Sequence, residues 1–177
     1  MSVAQSTDTA LDDETITLTV NGEQISETVP PRMTLAYLLR DRLALNGTHI
    51  ACEQGVCGAC NVLLDGRAVR SCLIYAVQAA GRTITTVEGL AQNGALSELQ
   101  SAFVRHQALQ CGFCTPGFLV LATELVEESR HGTRPDRDEI RERLAANICR
   151  CTGYQVLIDA VEDVVSGPGQ GGEHGNH

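Results

Sequence analysis

Cys52-Glu53-Gln54-Gly55-Val56-Cys57-Gly58-Ala59-Cys60 places three cysteines in one short loop, and Cys72 follows as a fourth. C-x4-C-x2-C with a more distant fourth cysteine is the spacing of plant-type [2Fe–2S] sites. A tight loop must bring three sulfurs around a small inorganic core, while the fourth arrives from a neighbouring strand or turn. Gly55 and Gly58 open backbone conformations closed to other residues, so amide N–H groups can approach the sulfurs. Such hydrogen bonds stabilise negative charge and tune the reduction potential. A four-cysteine zinc site is the competing reading, although structural zinc usually takes two short knuckles.

Four more cysteines stand downstream, as Cys111-Gly112-Phe113-Cys114 and Cys149-Arg150-Cys151, and the two groups account for all eight in the chain. Two knuckles on a helical scaffold suit zinc about as well as iron, so spacing alone leaves this second site open. Its flanks say more. Cys114 precedes Thr115-Pro116, an N-cap followed by proline, and Cys151 precedes Thr152, which with Gln155 reads as a capping box. Both helix starts would turn their positive ends toward an anionic cluster. Arg150 reads either as a further positive charge at the site or as a solvated surface residue.

The 177-residue chain is 43% hydrophobic but only 3% aromatic, with no tryptophan. It can hold one ordinary domain or two small ones, and small domains poor in large apolar side chains often rely on metal or disulfide staples. A formal net charge of −9 argues against nucleic acid or an anionic membrane as partner, and two four-thiolate clusters would each add about −2. No apolar run approaches the ~20 residues of a transmembrane helix, and 1–14 lacks the basic and apolar regions of an export signal. The expected location is cytoplasmic, where eight cysteines serve as ligands rather than disulfides.

Outward from the first loop, alternating Ile16, Leu18 and Val20 predict a strand over 15–20, with Asn21-Gly22 as a hairpin turn and 23–29 as the return strand. Thr34 caps a helix carrying Leu35, Leu38, Leu39 and Leu43 on one face. Beyond the loop, 61–64 and 67–71 pair across Asp65-Gly66, and 74–77 and 82–86 read as further strands. Then the period changes. Ser97 with Gln100 opens a helix that buries Leu99, Ala102 and Phe103, and a second helix runs from Thr115-Pro116 to about Ser129. Asp136 with Glu139 opens a third, with Ile140, Leu144 and Ile148 spaced by four, and the Thr152 box opens a fourth with Leu157, Ala160, Val161 and Val164 on one face.

The expected fold class is α+β. A disordered leader at 1–14 precedes a plant-type ferredoxin-like β-grasp domain at 15–89, a four-helix bundle at 90–165 and a disordered glycine-rich tail at 166–177. His49, His106 and His131 occur singly, and with both cysteine quartets full none is expected as a ligand; His174 and His177 fall in the tail. Glu124, Glu127 and Glu128 read as a solvated helix face. No nucleophile–base pattern, phosphate-cradling glycine loop or dinucleotide fingerprint stands in the sequence, so no substrate site is expected in this chain.

The motifs at 52–60, at 110–117 (Gln-Cys-Gly-Phe-Cys-Thr-Pro-Gly) and at 149–154 (Cys-Arg-Cys-Thr-Gly-Tyr) stand in one order. From about Thr15 to Val165 the chain thereby resembles the small iron–sulfur subunit of the xanthine oxidase, or molybdenum hydroxylase, family. Asn61 departs from the threonine common in that family and is expected to matter little. The resemblance implies two [2Fe–2S] clusters, one on Cys52, Cys57, Cys60 and Cys72, the other on Cys111, Cys114, Cys149 and Cys151. It implies that the second cluster lies nearest a molybdenum–pterin cofactor on a large partner subunit, with Gln110 and Cys151 close to the pterin. The first cluster would lie towards FAD on a medium subunit or an external acceptor. The chain would then relay electrons one at a time, within a heterotrimer or a dimer of heterotrimers that hydroxylates carbon with water-derived oxygen. Glu53-Gln54-Gly55-Val56 looks more like relatives acting on aldehydes or N-heteroaromatics than like carbon monoxide or xanthine dehydrogenases. A free-standing two-cluster ferredoxin is the alternative and predicts polar faces all round, whereas a subunit should expose an apolar or glycine-lined patch around 111–115. A zinc-stabilised interaction module is a third reading, and it would be colourless.

Overall fold

Asn21 and Gly22 both take positive φ (51° and 87°), the geometry of a tight two-residue hairpin, and join β1 (Glu14–Val20) to β2 (Glu23–Val29) in antiparallel register. This computed structural model describes residues 12–91, 94–132 and 134–167. Asp65-Gly66 repeats the device between β3 (Asn61–Leu64) and β4 (Arg67–Arg70). β5 (Thr83–Thr85) runs parallel to β1 and antiparallel to β3, giving a mixed sheet in the order β2-β1-β5-β3-β4.

Thr34 caps α1 (Leu35–Tyr37) by accepting from the Tyr37 amide, and the helix widens into a π-turn over Leu38–Arg42. Leu35, Leu38 and Leu39 are buried in one core with Ile16, Leu18, Val62 and Ile84. The 74–77 stretch, expected as a strand, forms no strand: 3-10 turns occupy Ser71–Leu73 and Ala76–Ala79, with one bridge between Thr34 and Tyr75. Its backbone is satisfied by the entry to α1 instead, where Leu35 N–H donates to Ile74 O and Ala76 N–H to Met33 O.

Four further helices share a second core. They are α2 (Glu98–Arg105), α3 (Thr115–His131), α4 (Arg137–Leu144) and α5 (Gln155–Ser166), which bury Phe103, Phe118, Leu125, Ile140, Leu144, Leu157 and Val161 together. The Ser97–Gln100 capping box and the Asp136 cap form as the sequence predicts. Two expectations fail. Ile148 is 51% exposed, because α4 stops at Leu144 and the fourfold spacing runs on past the helix. And α5 starts at Gln155 behind Tyr154 in the left-handed region, so Thr152 caps no helix. β1 begins at Glu14, inside the expected leader, and α5 reaches Ser166; residues 1–11 and 168–177, with His174 and His177, lie outside the described residues.

β3 is buried on both faces. Val62 and Leu64 enter the first core, while Asn61, on the opposite face, meets α3. The same packing overturns the solvated reading of Glu124. That side chain is 7% exposed and pairs with Arg67 of β4 at 2.7 Å, with Arg143 of α4 at 4.0 Å; only Glu127 and Glu128 of the acidic run face water. Glu124→Ala removes a buried carboxylate but leaves Arg67 solvated, so the expected loss is about 1–2 kcal/mol of unfolding free energy, against less than about 0.5 kcal/mol for Glu127→Ala. Denaturant titration of the two variants measures the contrast, and equal midpoints would refute it.

Candidate iron–sulfur centres

In the first loop the Gln54 and Cys57 amides both donate to Cys52 Sγ at 3.4 Å. The Cys57 amide, followed by that of Gln54, holds the Cys52 thiol down at about 6, which makes it mostly thiolate at neutral pH. Cys60 and Cys72 are buried beside Ala36 of α1, and Ser71 clamps this end of the loop by donating from both its amide and its hydroxyl to Cys60 O. Burial pushes the Cys72 thiol up to about 11, with the neighbouring Cys60 sulfur adding to the rise. Cys52 thus neighbours Cys57, and Cys60 neighbours Cys72, each within hydrogen-bonding reach.

The second group is also built of pairs. Cys111 and Cys151 sulfurs lie 3.6 Å apart, and Cys114 neighbours Cys149. Cys114 itself is the N-cap residue of α3, one position earlier than the sequence suggests, and burial pushes its thiol up to about 12. Burial opposes ionisation of Cys149 too, but the Thr152 hydroxyl (3.1 Å) and amide (3.4 Å), with the Cys151 amide, outweigh it and hold that thiol below its ordinary value. Cys111 raises Cys151. Thr152 therefore serves a sulfur where the sequence suggested a helix cap.

Two thiolates per metal is what a two-iron core asks for, whereas one zinc ion asks for four at once. Among the described residues no three His, Cys, Asp or Glu side chains converge on a point fit for a single ion, and no disulfide joins any of the eight cysteines. Adjacent thiolates repel, and a cationic core between the pairs removes that penalty. The residues present fit the [2Fe–2S] group.

The two loops touch. A Cβ on Gly117, in the first turn of α3, would lie 2.2 Å from Gly58 O, and one on Gly58 (φ 74°) would lie 1.9 Å from Asn147 Oδ1. Ile148 N–H donates to Cys57 O at 2.9 Å. Asn61, 2% exposed, donates to Gly117 O (3.2 Å) and Asn147 Oδ1 (3.1 Å) and accepts from Arg70, so its departure from the family threonine sits at the centre of the joint. Above it, His49 stacks on Phe113 with ring centroids 4.8 Å apart and places Nδ1 2.6 Å from Phe113 O. These residues carry no spacing signature, because their partners lie 56 to 86 positions away in sequence.

At the outer end Cys111, Cys151 and Gln110 are exposed, and Gln110 lines a hollow with Val104, Leu109, Thr152 and Val156. Arg150 stands in solvent, His106 pairs with Asp163 at 3.2 Å, and His131 ends α3.

Residues 18–96 match the family described as "2Fe-2S iron-sulfur cluster binding domain", and residues 86–162 the family described as "[2Fe-2S] binding domain". Over 155 residues the chain is 54% identical to the nicotine 6-hydroxylase small subunit of Paenarthrobacter nicotinovorans, covering 88% of this chain and 90% of that one. It is 44% identical over 153 residues to the xanthine dehydrogenase iron-sulfur-binding subunit of Escherichia coli O157:H7, covering 85% and 94%. The chain belongs to the small iron–sulfur subunits of the molybdenum hydroxylases. The fold of this iron–sulfur subunit superposes on quinoline 2-oxidoreductase from Pseudomonas putida 86 with a TM-score of 0.82 and 50% identity, covering 88% of this chain and 96% of that chain. Its cofactors are two [2Fe–2S] clusters, and its role is electron transfer within an oxidoreductase. A methyl group at the Gly58–Gly117 contact must push the two loops apart. Gly117→Ala is therefore expected to cost about 1–3 kcal/mol and to lower the iron retained per chain. Thermal unfolding with iron analysis measures both, and an unchanged melting temperature with full iron would refute the contact.

Proposed function

We propose that Cys52, Cys57, Cys60 and Cys72 hold one [2Fe–2S] core and Cys111, Cys114, Cys149 and Cys151 the other, and that electrons enter the chain at the second and leave from the first. Each bound core supplies a site that takes up and gives back one electron. The chain's own residues tune and connect the two sites. The Gln54 and Cys57 amides and the Thr152 hydroxyl favour negative charge on Cys52 and Cys149. The observation that carries the direction is the asymmetry of exposure: Cys111 and Cys151 lie open beside Gln110, while Cys60 and Cys72 are buried under α1. The Ile148 N–H···O Cys57 hydrogen bond joins the backbone next to Cys149 to the first loop, so a direct protein contact links the two sites.

Val104, Leu109, Phe113 and Ile148 are exposed around the open end, which supports a subunit over a free-standing carrier with polar faces. A large subunit carrying the molybdenum–pterin cofactor would cover this face, with Gln110 and Cys151 against the pterin. FAD on a medium subunit, or another acceptor, would receive electrons from the first cluster, in a heterotrimer or a dimer of heterotrimers. In the reaction a C–H bond and water would become C–OH, two protons and two electrons, the last passing through this chain singly. Nicotine and quinoline, in the names of two relatives, are N-heteroaromatics, and we assign the holoenzyme to that substrate class. The finer architecture is a β-grasp domain at 15–89 followed by a four-helix bundle at 90–165. No helix among the described residues is long and apolar enough to cross a membrane, and we place the complex in the cytoplasm.

Cys57→Ser and Cys114→Ser test the ligand sets. Each is expected to halve the iron per chain and to remove one electron paramagnetic resonance signal while sparing the other, with turnover to the natural acceptor falling at least tenfold. Retention of both signals and full turnover in either variant would sink the assignment.

A further inference from the structure

Arg70 ends β4, half-buried, where the two cysteine loops meet. Its guanidinium donates to Gly55 O (3.2 Å) in the first loop, to Asn61 Oδ1, and to Ala146 O (2.5 Å) in the turn that leads to Cys149. All three acceptors are neutral. Among the described residues, ion pairs engage Arg67, Arg82, Arg105, Arg130, Arg137, Arg141 and Arg143, but no carboxylate pairs with Arg70. A guanidinium does not lose its proton in a protein, so a full positive charge is fixed at the joint. Behind it, Asn61 leads to Asn147, whose buried Nδ2 has no hydrogen-bond partner. The joint therefore leaves one buried donor without an acceptor, and among the described residues no carboxylate forms an ion pair with Arg70.

We propose that Arg70, with Asn61 and Asn147 behind it, is the electrostatic positioning residue shared by the two clusters: its charge favours the added electron on either one, and its fork holds the two loops in register. The inference rests on the ligand assignment proposed above. A four-thiolate [2Fe–2S] site is already anionic, and reduction adds one more negative charge. A nearby fixed cation in a partly dry joint stabilises that charge more strongly than the same cation in water. Arg150, the cation the sequence puts forward, is exposed and is screened by water and salt.

Arg70→Gln and Arg70→Lys in the intact holoprotein separate charge from fork. Spectroelectrochemical titration of both clusters, run beside thermal unfolding and iron analysis, reads the two. For Arg70→Gln the reduced-to-oxidised ratio at a fixed potential is expected to fall about tenfold at both clusters, a shift of about 59 mV for a one-electron couple. Arg70→Lys should keep that ratio within a factor of about two while melting at a lower temperature, since an ammonium cannot span all three acceptors. Asn61→Asp is the second route, because it neutralises Arg70 in place and should lower both potentials as Arg70→Gln does. Unmoved potentials in a fully loaded Arg70→Gln protein, or in Asn61→Asp should Arg70→Gln not fold, overturn the proposal. The parent protein reports the ligand assignment separately: if it binds no iron, that assignment fails, whatever the variants do.

Discussion

The first turn of α3 presses so closely on the first cysteine loop that neither chain can carry a side chain there. Gly117 faces Gly58 O, and Gly58 faces Asn147. This contact fixes where α3 crosses the sheet. It puts Asn61 on an inner face of β3, lets Asn61 reach the Gly117 carbonyl, and brings Glu124 two turns later over Arg67. The cores on either side are separate, one around Val62 and Ile84, the other around Phe118 and Leu157. With three phenylalanines and no tryptophan, the chain has little large apolar surface with which to weld them. Backbone proximity and polar stitching take that role.

Such a joint is exacting. A buried amide costs free energy unless its donors and acceptors are met, so Asn61 tolerates little displacement of Gly117, Asn147 or Arg70. Its value lies in specifying one arrangement rather than in adding stability, since the same groups were hydrogen-bonded to water before folding. An electron relay needs that. The separation between two redox sites must be kept through every turnover, and a joint of interlocked hydrogen bonds meets the need better than a sliding apolar interface.

Local chemistry is what the sequence discloses. Asn21-Gly22 and Asp65-Gly66 demand positive φ, the Ser97–Gln100 box needs only its own helix, and the C-x4-C-x2-C loop carries its purpose in its spacing. Residues with two possible uses were harder to read. Thr152 can cap a helix or serve a sulfur, and the presence of Cys149 decides for the sulfur. Ile148 keeps the spacing of α4, yet the chain leaves the helix to deliver Cys149 and exposes it. Glu124 fits a solvated stripe by period, and only the approach of β4 buries it. The 74–77 alternation suits a strand, but its backbone bonds to Met33 and Leu35 at the entry to α1 instead. For Glu124 and the 74–77 stretch the winning interaction comes from a residue distant in sequence, and for Thr152 and Ile148 it comes from the placing of Cys149.

The two cysteine groups also differ in how complete they are. The first owns its surroundings: α1 covers Cys60 and Cys72, and amides from its own loop serve Cys52. The second is finished on one side only. Thr152 serves Cys149 from within, while Cys111 and Cys151 are exposed, next to a hollow lined by exposed Val104, Leu109 and Gln110. A subunit covering that face, as proposed, would also remove water from the Cys111–Cys151 edge. Drying strengthens every dipole already aimed at the site, and it raises the cost of adding a negative charge there. On that proposal assembly and redox tuning become one event at this end of the chain, and the charge that would answer the cost from the inside is the one Arg70 holds at the joint.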